Sequence, residues 1–560
     1  MQTPLTDSNR PGLTNLGRPT MRTKKAQGPI QECVFQAMMT VIPVFLIAAT
    51  VSFLSCAGSA ADAALKDDGY HFMHTGTDDQ LYNEWWYFNG ISNETQFLVT
   101  YFISDPENLT GLRKLQVLAV VLKDDKPPVI GMRQSRGFGG DREGPNVDID
   151  QSGISSQDGT SFQVWGAVND ALTGEPVQWN LQYVPALSPW FATPVQAHVG
   201  HLKGDWMKWL VYIPSGNVTG TLTLGNRILD ITAVGYHDHN WGRWAFNDPQ
   251  WNWAEVSDPA KDFSLTLGDV FGEEQNTMLG VRYAGDQIKF TGKQIKLTYT
   301  DFAFDQSTAR IYPQGYRVQA DNGDYQLDLT IKAEKNVPLL VSYPPPQPSY
   351  VIFEQVSRIQ GFLRTRTDVL YRFDEKGFSE YTTHRLHPIF GKITAVGSAK
   401  TASAKITTAN ITGENTTGTS STPAGAIAAN PMIANETAVN KTAANVTGMN
   451  VTVANATANN ATAANIPSTN ASTANATAAT KFTVTATNER TSQVKTAETS
   501  ADGWFSVDAN YADYLADSKT AWVSNGDRVR LEVSDETGGS KSSEILVDLG
   551  KDRQEVDLNL

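Results

Sequence analysis

Gln96-Phe97-Leu98-Val99-Thr100-Tyr101-Phe102-Ile103 is built almost wholly from aliphatic, aromatic and β-branched residues, and it predicts a strand. Similar stretches recur on either side, among them Ser161-Phe162-Gln163-Val164-Trp165 and Gln287-Ile288-Lys289-Phe290, where apolar and polar residues alternate. Gly, Pro, Asn and Asp punctuate these stretches from about residue 66 to 395, with hardly any helical periodicity. That pattern indicates an all-β sandwich or barrel. The region is too long for one sheet, so two packed β-units are expected.

The chain has 560 residues and a net charge of −14. Outside the N-terminus it holds no cluster of Lys and Arg, which excludes nucleic acid as a partner. Most of the 13 Trp, 18 Tyr and 23 Phe fall before residue 400, so the β-region has the material for large cores.

Upstream, residues 1–65 read as a targeting segment. Arg22, Lys24 and Lys25 flank an apolar and small-residue run from Val34 to Ala61, the order of a secretory signal. Ala61-Asp62-Ala63 or the residues just before it would be the cleavage site. The run is also long enough to span a bilayer, so a tether to the membrane or cell envelope is the alternative. Lipidation at Cys56 is a third, weakened by Phe53 where Leu is usual. The protein is expected to be secreted or envelope-anchored. Cys33 and Cys56, the two cysteines, both lie in this segment, so the exported chain would have no disulfide and no thiol chemistry.

Downstream, residues 396–480 collapse to Ala, Thr, Asn, Val and Ser. Asn435, Asn440, Asn445, Asn450, Asn455, Asn460, Asn470 and Asn475 each open an Asn-x-Ser/Thr sequon, and Asn410 and Asn415 add two more; Pro467 breaks the pattern at Asn465. Such a tract cannot bury enough apolar surface to offset chain entropy, so it should stay disordered and solvated, stiffened by glycans. A bare Ala/Thr linker is the plainer alternative. Asn93, Asn108 and Asn217 open further sequons and predict surface loops. Strand patterning returns in residues 481–560, which read as a small immunoglobulin-like or carboxypeptidase-regulatory-like β-sandwich serving attachment or spacing. Lys392-Ile393-Thr394-Ala395-Val396 is a candidate first strand of it, which would make the tract an insertion.

Chemistry-bearing residues concentrate in four segments: Asn83-Glu84-Trp85-Trp86-Tyr87-Phe88-Asn89-Gly90, Tyr236-His237-Asp238-His239-Asn240-Trp241-Gly242-Arg243-Trp244, Trp251-Asn252-Trp253-Ala254-Glu255-Val256, and Gly377 to His384. Alternate residues of a strand share a face. Glu84 therefore travels with Trp86 and Trp85 with Tyr87, while His237, His239 and Trp241 share a face that Asp238 does not. Trp251, Trp253 and Glu255 share another.

Glu84-Trp85-Trp86-Tyr87-Phe88-Asn89-Gly90, then Asp238-His239-Asn240-Trp241-Gly242, then Trp251-Asn252-Trp253 resemble, in this order, the AttH-like and carotenoid-hydratase family, to which kievitone hydratase is also similar. Arg282 in Gly280-Val281-Arg282-Tyr283 and Gly377 to Glu380 match two later family features. The resemblance covers about residues 70 to 390. It implies two lipocalin-like β-barrels, residues 66–240 and 241–395, with a cleft between or within them for an apolar, often isoprenoid or polyketide, small molecule.

Adding water to an isolated alkene needs an acid strong enough to protonate carbon and a surface that stabilises the cation. A carboxyl among Trp and Tyr keeps its proton because burial disfavours its charge, and aromatic faces attract cations. Asp238 is the first candidate acid, followed by Glu84, Glu255 and Glu380, with His237 or His239 orienting the carboxyl or holding water. Trp85, Trp86, Tyr87, Trp241, Trp251, Trp253 and Arg282 are the candidate ligand contacts. The expected activity is an acid-catalysed hydratase (a lyase) or cyclase; the alternative is a non-catalytic carrier of a hydrophobic ligand. Each residue also has a plainer reading. Glu84 suits loop amides, His237-Asp238-His239 a structural corner, and Trp251 and Trp253 core packing, while His384 and His387 suit the surface or an interface. No cofactor is expected. Two His on one strand face have usable metal-ligand spacing, but the sequence offers no clear third ligand, so no metal is expected either. With no Gly-x-Ser-x-Gly elbow, Gly-x-Gly-x-x-Gly or P-loop, serine hydrolysis and nucleotide chemistry lose their support.

Overall fold

A computed structural model describes residues 63–73, 81–394, 450–453 and 482–559, apart from breaks at 110–112, 125, 194–195, 201–203, 246–247, 272–275, 343–348, 510–521, 535–539 and 557. The apolar N-terminal run and nearly all of the sequon tract lie outside the described residues. Among the described residues the structure is all-β, relieved only by short 3-10 turns such as Leu65–Asp68, and no helix is long and apolar enough to cross a membrane.

Two large curled antiparallel sheets dominate. The first has 13 strands and runs from Val129–Gln134 through Lys114–Lys123, Thr95–Ser104 and Tyr82–Ile91 to Arg227–Arg243 and Trp206–Leu224, then through Pro176–Pro185 to Phe138–Gly140. Its curl brings Gly131 into a bridge with Asp170, and its concave side is filled by Trp86, Phe88, Phe97, Tyr101, Phe162, Tyr183 and their neighbours. The second has 10 strands and places Gln250–Asp258 beside Val369–Arg385, which in turn pairs with Ser349–Thr365. Its own interior is packed by Phe263, Leu265, Phe290, Val318, Ile359 and others. Each fully buried side chain of this size contributes about 1.5–3 kcal/mol. Cores on this scale suit a fold without disulfides.

The sheets meet through a third apolar cluster that includes Tyr87, Trp190, Trp209, Tyr236, Trp253 and Phe378. Glycines in the second sheet make room for indoles of the first. A Cβ at Gly268 would stand 2.3 Å from the Trp209 ring, and one at Gly280 2.1 Å from the Trp190 ring.

The C-terminal unit corrects two boundaries. Pro388–Thr394 does not belong to the second large sheet, as a limit at 395 would require; it pairs with Trp504–Asp508, Gln554–Glu555 and Leu558–Asn559. That small sheet packs on a four-stranded one, Val494–Glu498, Thr483–Asn488, Arg528–Ser534 and Ser540–Leu546, around Ile389, Phe505, Val529 and Leu531. The tract is thus inserted after the first strand of this unit. Within it Asn450–Val453 is described, as a strand paired with Leu339–Ser342, so that piece is not disordered chain. Phe304 stacks on Trp504 with ring centroids 4.6 Å apart and Arg310 pairs with Asp508 at 2.6 Å, which seats the unit on the second large sheet. His387 is buried there against Gln554, 2.9 Å away.

Asn93 and Asn108 lie exposed in turns, as sequons predict, but Asn217 sits inside the Trp206–Leu224 strand, on its exposed face.

Candidate active site

One antiparallel strand pair carries Glu84, His237, Asp238 and His239. In the register of Tyr82–Ile91 with Arg227–Arg243, Glu84 faces Trp241, Trp86 faces His239 and Phe88 faces His237; between them Trp85 faces Asn240 and Tyr87 faces Asp238. The first set points into the first sheet's filled interior and the second set toward the other sheet.

Inside, Asp68 lies 3.0 Å from His237 Nε2, with which it hydrogen-bonds, and 3.2 Å from His239 Nδ1, an ion-pair distance. Glu84 meets His239 Nε2 at 2.9 Å, His71 Nδ1 at 3.4 Å, the His71 amide at 3.0 Å and the Tyr82 hydroxyl at 2.7 Å. Burial works against both carboxylates, yet the neighbouring imidazoles outweigh it and hold both below the usual carboxylate range. For His239 the same carboxylates overcome burial and hold its proton more tightly than usual. Rings clamp the imidazoles: Phe88 stacks on His237 and Trp241 on His71, both at 3.8 Å, and Trp86 on His239 at 4.5 Å.

On the other side the two sheets enclose an apolar cleft with a cavity volume of about 170 Å³. Trp85, Tyr87, Trp209, Trp244, Trp251 and Trp253 line it with Leu, Ile, Val and Met, and no Lys, Arg or His does so among the described residues. Three carboxyls do: Asp238, Glu354 and Glu380. Glu354 and Glu380 sit directly opposite one another in the register of their strands. Burial, then the neighbouring carboxyl, raises Glu354 well above the ordinary range; burial also raises Glu380, although Trp251 Nε1 donates to it at 2.6 Å. Asp238 accepts from Trp209 Nε1 and the Tyr236 hydroxyl, each at 2.8 Å, but burial still pushes it up to about 7. Two like charges side by side in such a wall cannot both persist, so the Glu354–Glu380 pair keeps a proton at neutral pH.

The alternation read from sequence is the observed one, but the residues do not converge on one hollow. Asp238, Glu380, Trp85, Tyr87, Trp251 and Trp253 line the cleft. Glu84, His237, His239, Trp86 and Trp241 face the filled interior instead, so neither imidazole can orient Asp238. Glu255 continues the Trp251–Trp253 face beyond the cleft, where Asn89 and the Phe378 amide donate to it at 3.1 and 3.2 Å and burial pushes it up to about 7. Arg282 lines no part of the cleft; it donates to the Pro189 carbonyl at 2.7 Å and helps to dock the sheets. Sequence reasoning missed Glu354, whose signal was an acid closing the apolar run Tyr350-Val351-Ile352-Phe353. It also missed Asp68 and His71, which precede the strands and carry no pattern of their own.

Fold and site together define an all-β protein of two curled, lipocalin-like sheets with an acid-bearing apolar cleft between them. Among solved structures it is similar to a protein provisionally assigned as AttH from Nitrosomonas europaea, with 14% identity over 57% of this chain and 95% of that one and a TM-score of 0.42. It is likewise similar to kievitone hydratase from Nectria haematococca, with 14% identity, 59% and 94% coverage and a TM-score of 0.42. CghA with Sch210972 follows at 11% identity, 55% and 89% coverage and a TM-score of 0.39. No protein-family model and no curated protein matches the chain.

Proposed function

We propose that the protein binds an apolar, isoprenoid- or lipid-like molecule in the inter-sheet cleft and protonates it, as an acid-catalysed hydratase or cyclase. The observation that carries this reading is the Glu354–Glu380 pair, set face to face in an apolar wall without a cation. A carrier gains nothing from a buried carboxyl pair, whereas an acid catalyst needs one. Glu354 gives its proton to one carbon of an alkene, whose π electrons form the new C–H bond and leave a cation on the other carbon. The faces of Trp85, Trp251 and Trp253 stabilise that cation. Water then adds through oxygen and loses a proton to the carboxylate, restoring the acid; with water excluded, a second alkene of the same molecule attacks and closes a ring, and the cation this leaves loses a proton from the neighbouring carbon to the carboxylate. Asp238, on the opposite wall, is the second group placed to take that proton.

The test is turnover of isoprenoid alkenes in D₂O. Deuterium should appear on carbon with the wild type and vanish with Glu354→Gln/Glu380→Gln, while Asp238→Asn should lose turnover but keep apolar ligand binding. Tight binding without deuterium on carbon would reduce the protein to a carrier. Export through the N-terminal segment, with an uncleaved tether as the second form, belongs to the same proposal and draws support from the exposed sequons at Asn93, Asn108 and Asn217. Deglycosylation should then lower the apparent mass by far more than three glycans; a mass equal to the bare chain would remove it.

A further inference from the structure

The inner cluster has the makings of a site that the acid chemistry does not use. His71 Nδ1, Glu84 Oε1 and His239 Nε2 lie within 4.8 Å of one another. Glu84 Oε1 is 2.9 Å from the His239 nitrogen and 3.4 Å from the His71 nitrogen. Tetrahedral zinc, with ligands at about 2.0–2.2 Å, sets neighbouring donor atoms about 3.3 Å apart, between those two distances. The remaining atoms are already committed to holding the three donors in place. Asp68 Oδ1 stands 3.2 Å from His239 Nδ1, the carboxylate–imidazole support that metal-binding histidines commonly have. Tyr82 donates to Glu84 Oε2, leaving Oε1 as the oxygen turned to both imidazoles.

Charge favours the same occupant. Asp68 and Glu84 are both fully buried, and one divalent cation, bound in place of the proton His239 holds, would balance them. Two nitrogens and one oxygen suit zinc and its neighbours rather than magnesium or calcium, which prefer oxygen alone. His71 belongs to the segment before the first strand; its side chain is 23% exposed, but its Nδ1 is buried and has no hydrogen-bond partner, an open position that a cation would fill.

We propose that His71, Glu84 and His239 bind one zinc-class divalent cation, which fastens the segment around His71 to the wall of the first sheet. Three protein donors leave a coordination position for solvent. The cation sits on the opposite side of the strand pair from the cleft and does not depend on what the cleft does.

The experiment strips the full-length protein with a chelator, reloads it with Zn²⁺, and measures retained metal by mass spectrometry and thermal unfolding. About one zinc per chain and a raised midpoint are expected. His71→Ala, which removes a partly exposed side chain outside the strands, should lose both, while His384→Ala should keep both. Zinc K-edge absorption of the loaded wild type should show two imidazoles in the first shell. No retained zinc in the wild type, unchanged zinc in His71→Ala, or a first shell without two imidazoles would each overturn the proposal, the last without needing any variant to fold.

Discussion

The two sides of a single strand pair face carboxyls that are equally buried but differ in charge, ionised on one side and largely protonated on the other. On the inner face Asp68 and Glu84 touch imidazoles and stay ionised; on the outer face Glu354 and Glu380 face one another and the pair keeps a proton, while Asp238, held by an indole and a phenol, is pushed up to about 7. Burial costs both sets the same kind of energy, and only the partner differs. The inner face is therefore built for order and the outer face for acid chemistry, although consecutive residues supply both.

The comparison breaks most visibly at the outer pair. Glu380→Gln leaves Glu354 without a carboxyl neighbour, and the rate of deuterium incorporation should fall by about 10²–10⁴, the usual contribution of a positioned acid. On the inner face the loss should be in stability. Asp68→Ala leaves two fully buried imidazoles without their shared carboxylate, and urea unfolding should show about 3–5 kcal/mol less stability, as expected when one member of a buried ion pair is removed. An effect below about 1 kcal/mol would mean the inner network is not ionised.

Acidity distinguishes the faces next. The Glu255 carboxyl, ordinarily near 4.5, is pushed up to about 7 by burial, so the folded protein holds a proton there that the unfolded chain has released. Between those values the folded state binds more protons, and stability falls as pH rises, by at most about 1.4 kcal/mol per pH unit. Glu255→Gln removes that slope. Relative to wild type, the variant should gain roughly 2–3 kcal/mol between pH 4 and pH 8, read from denaturant midpoints. Asp68 and Glu84 have the opposite sign: their contribution is present above the ordinary carboxylate range and is lost as pH falls through their lowered folded values. A flat difference for Glu255→Gln across that range would show that Glu255 is ionised like the inner carboxylates.

Much of this was legible in the sequence because a strand has a period of two. Alternation alone put Glu84 with Trp86, and His237 with His239 and Trp241 on a face that Asp238 does not share, and it kept Trp251 with Trp253. Which face looks at a filled core and which at a cleft is a matter of how sheets pack, and no local pattern states it. For the same reason Glu354 escaped notice, since only the register with Glu380 gives it a meaning. Asp68 and His71 come from an irregular segment that crosses to the interior, so neither periodicity nor spacing points to them. For Pro388–Thr394 the sequence left two places open, the end of the second sheet or the first strand of the C-terminal unit, and only its partners, more than a hundred residues on, decide between them.

The smallest effect tests how the two sheets fix the outer face. Gly268 lies under the Trp209 ring, and a methyl group there would come within 2.3 Å of it. Trp209 cannot stay where it is, and its Nε1 is the donor that holds Asp238 Oδ2 at 2.8 Å. Gly268→Ala should cost about 1–3 kcal/mol by overpacking. It should also loosen binding of an apolar probe in the cleft, because Trp209 and Gly268 both line it. The inner network touches neither residue, so the pH dependence due to Asp68 and Glu84 should be unchanged. Should acid unfolding move along with probe binding, the strand pair would not insulate its two faces, and ion pairs on one side would be able to report on the cleft across it.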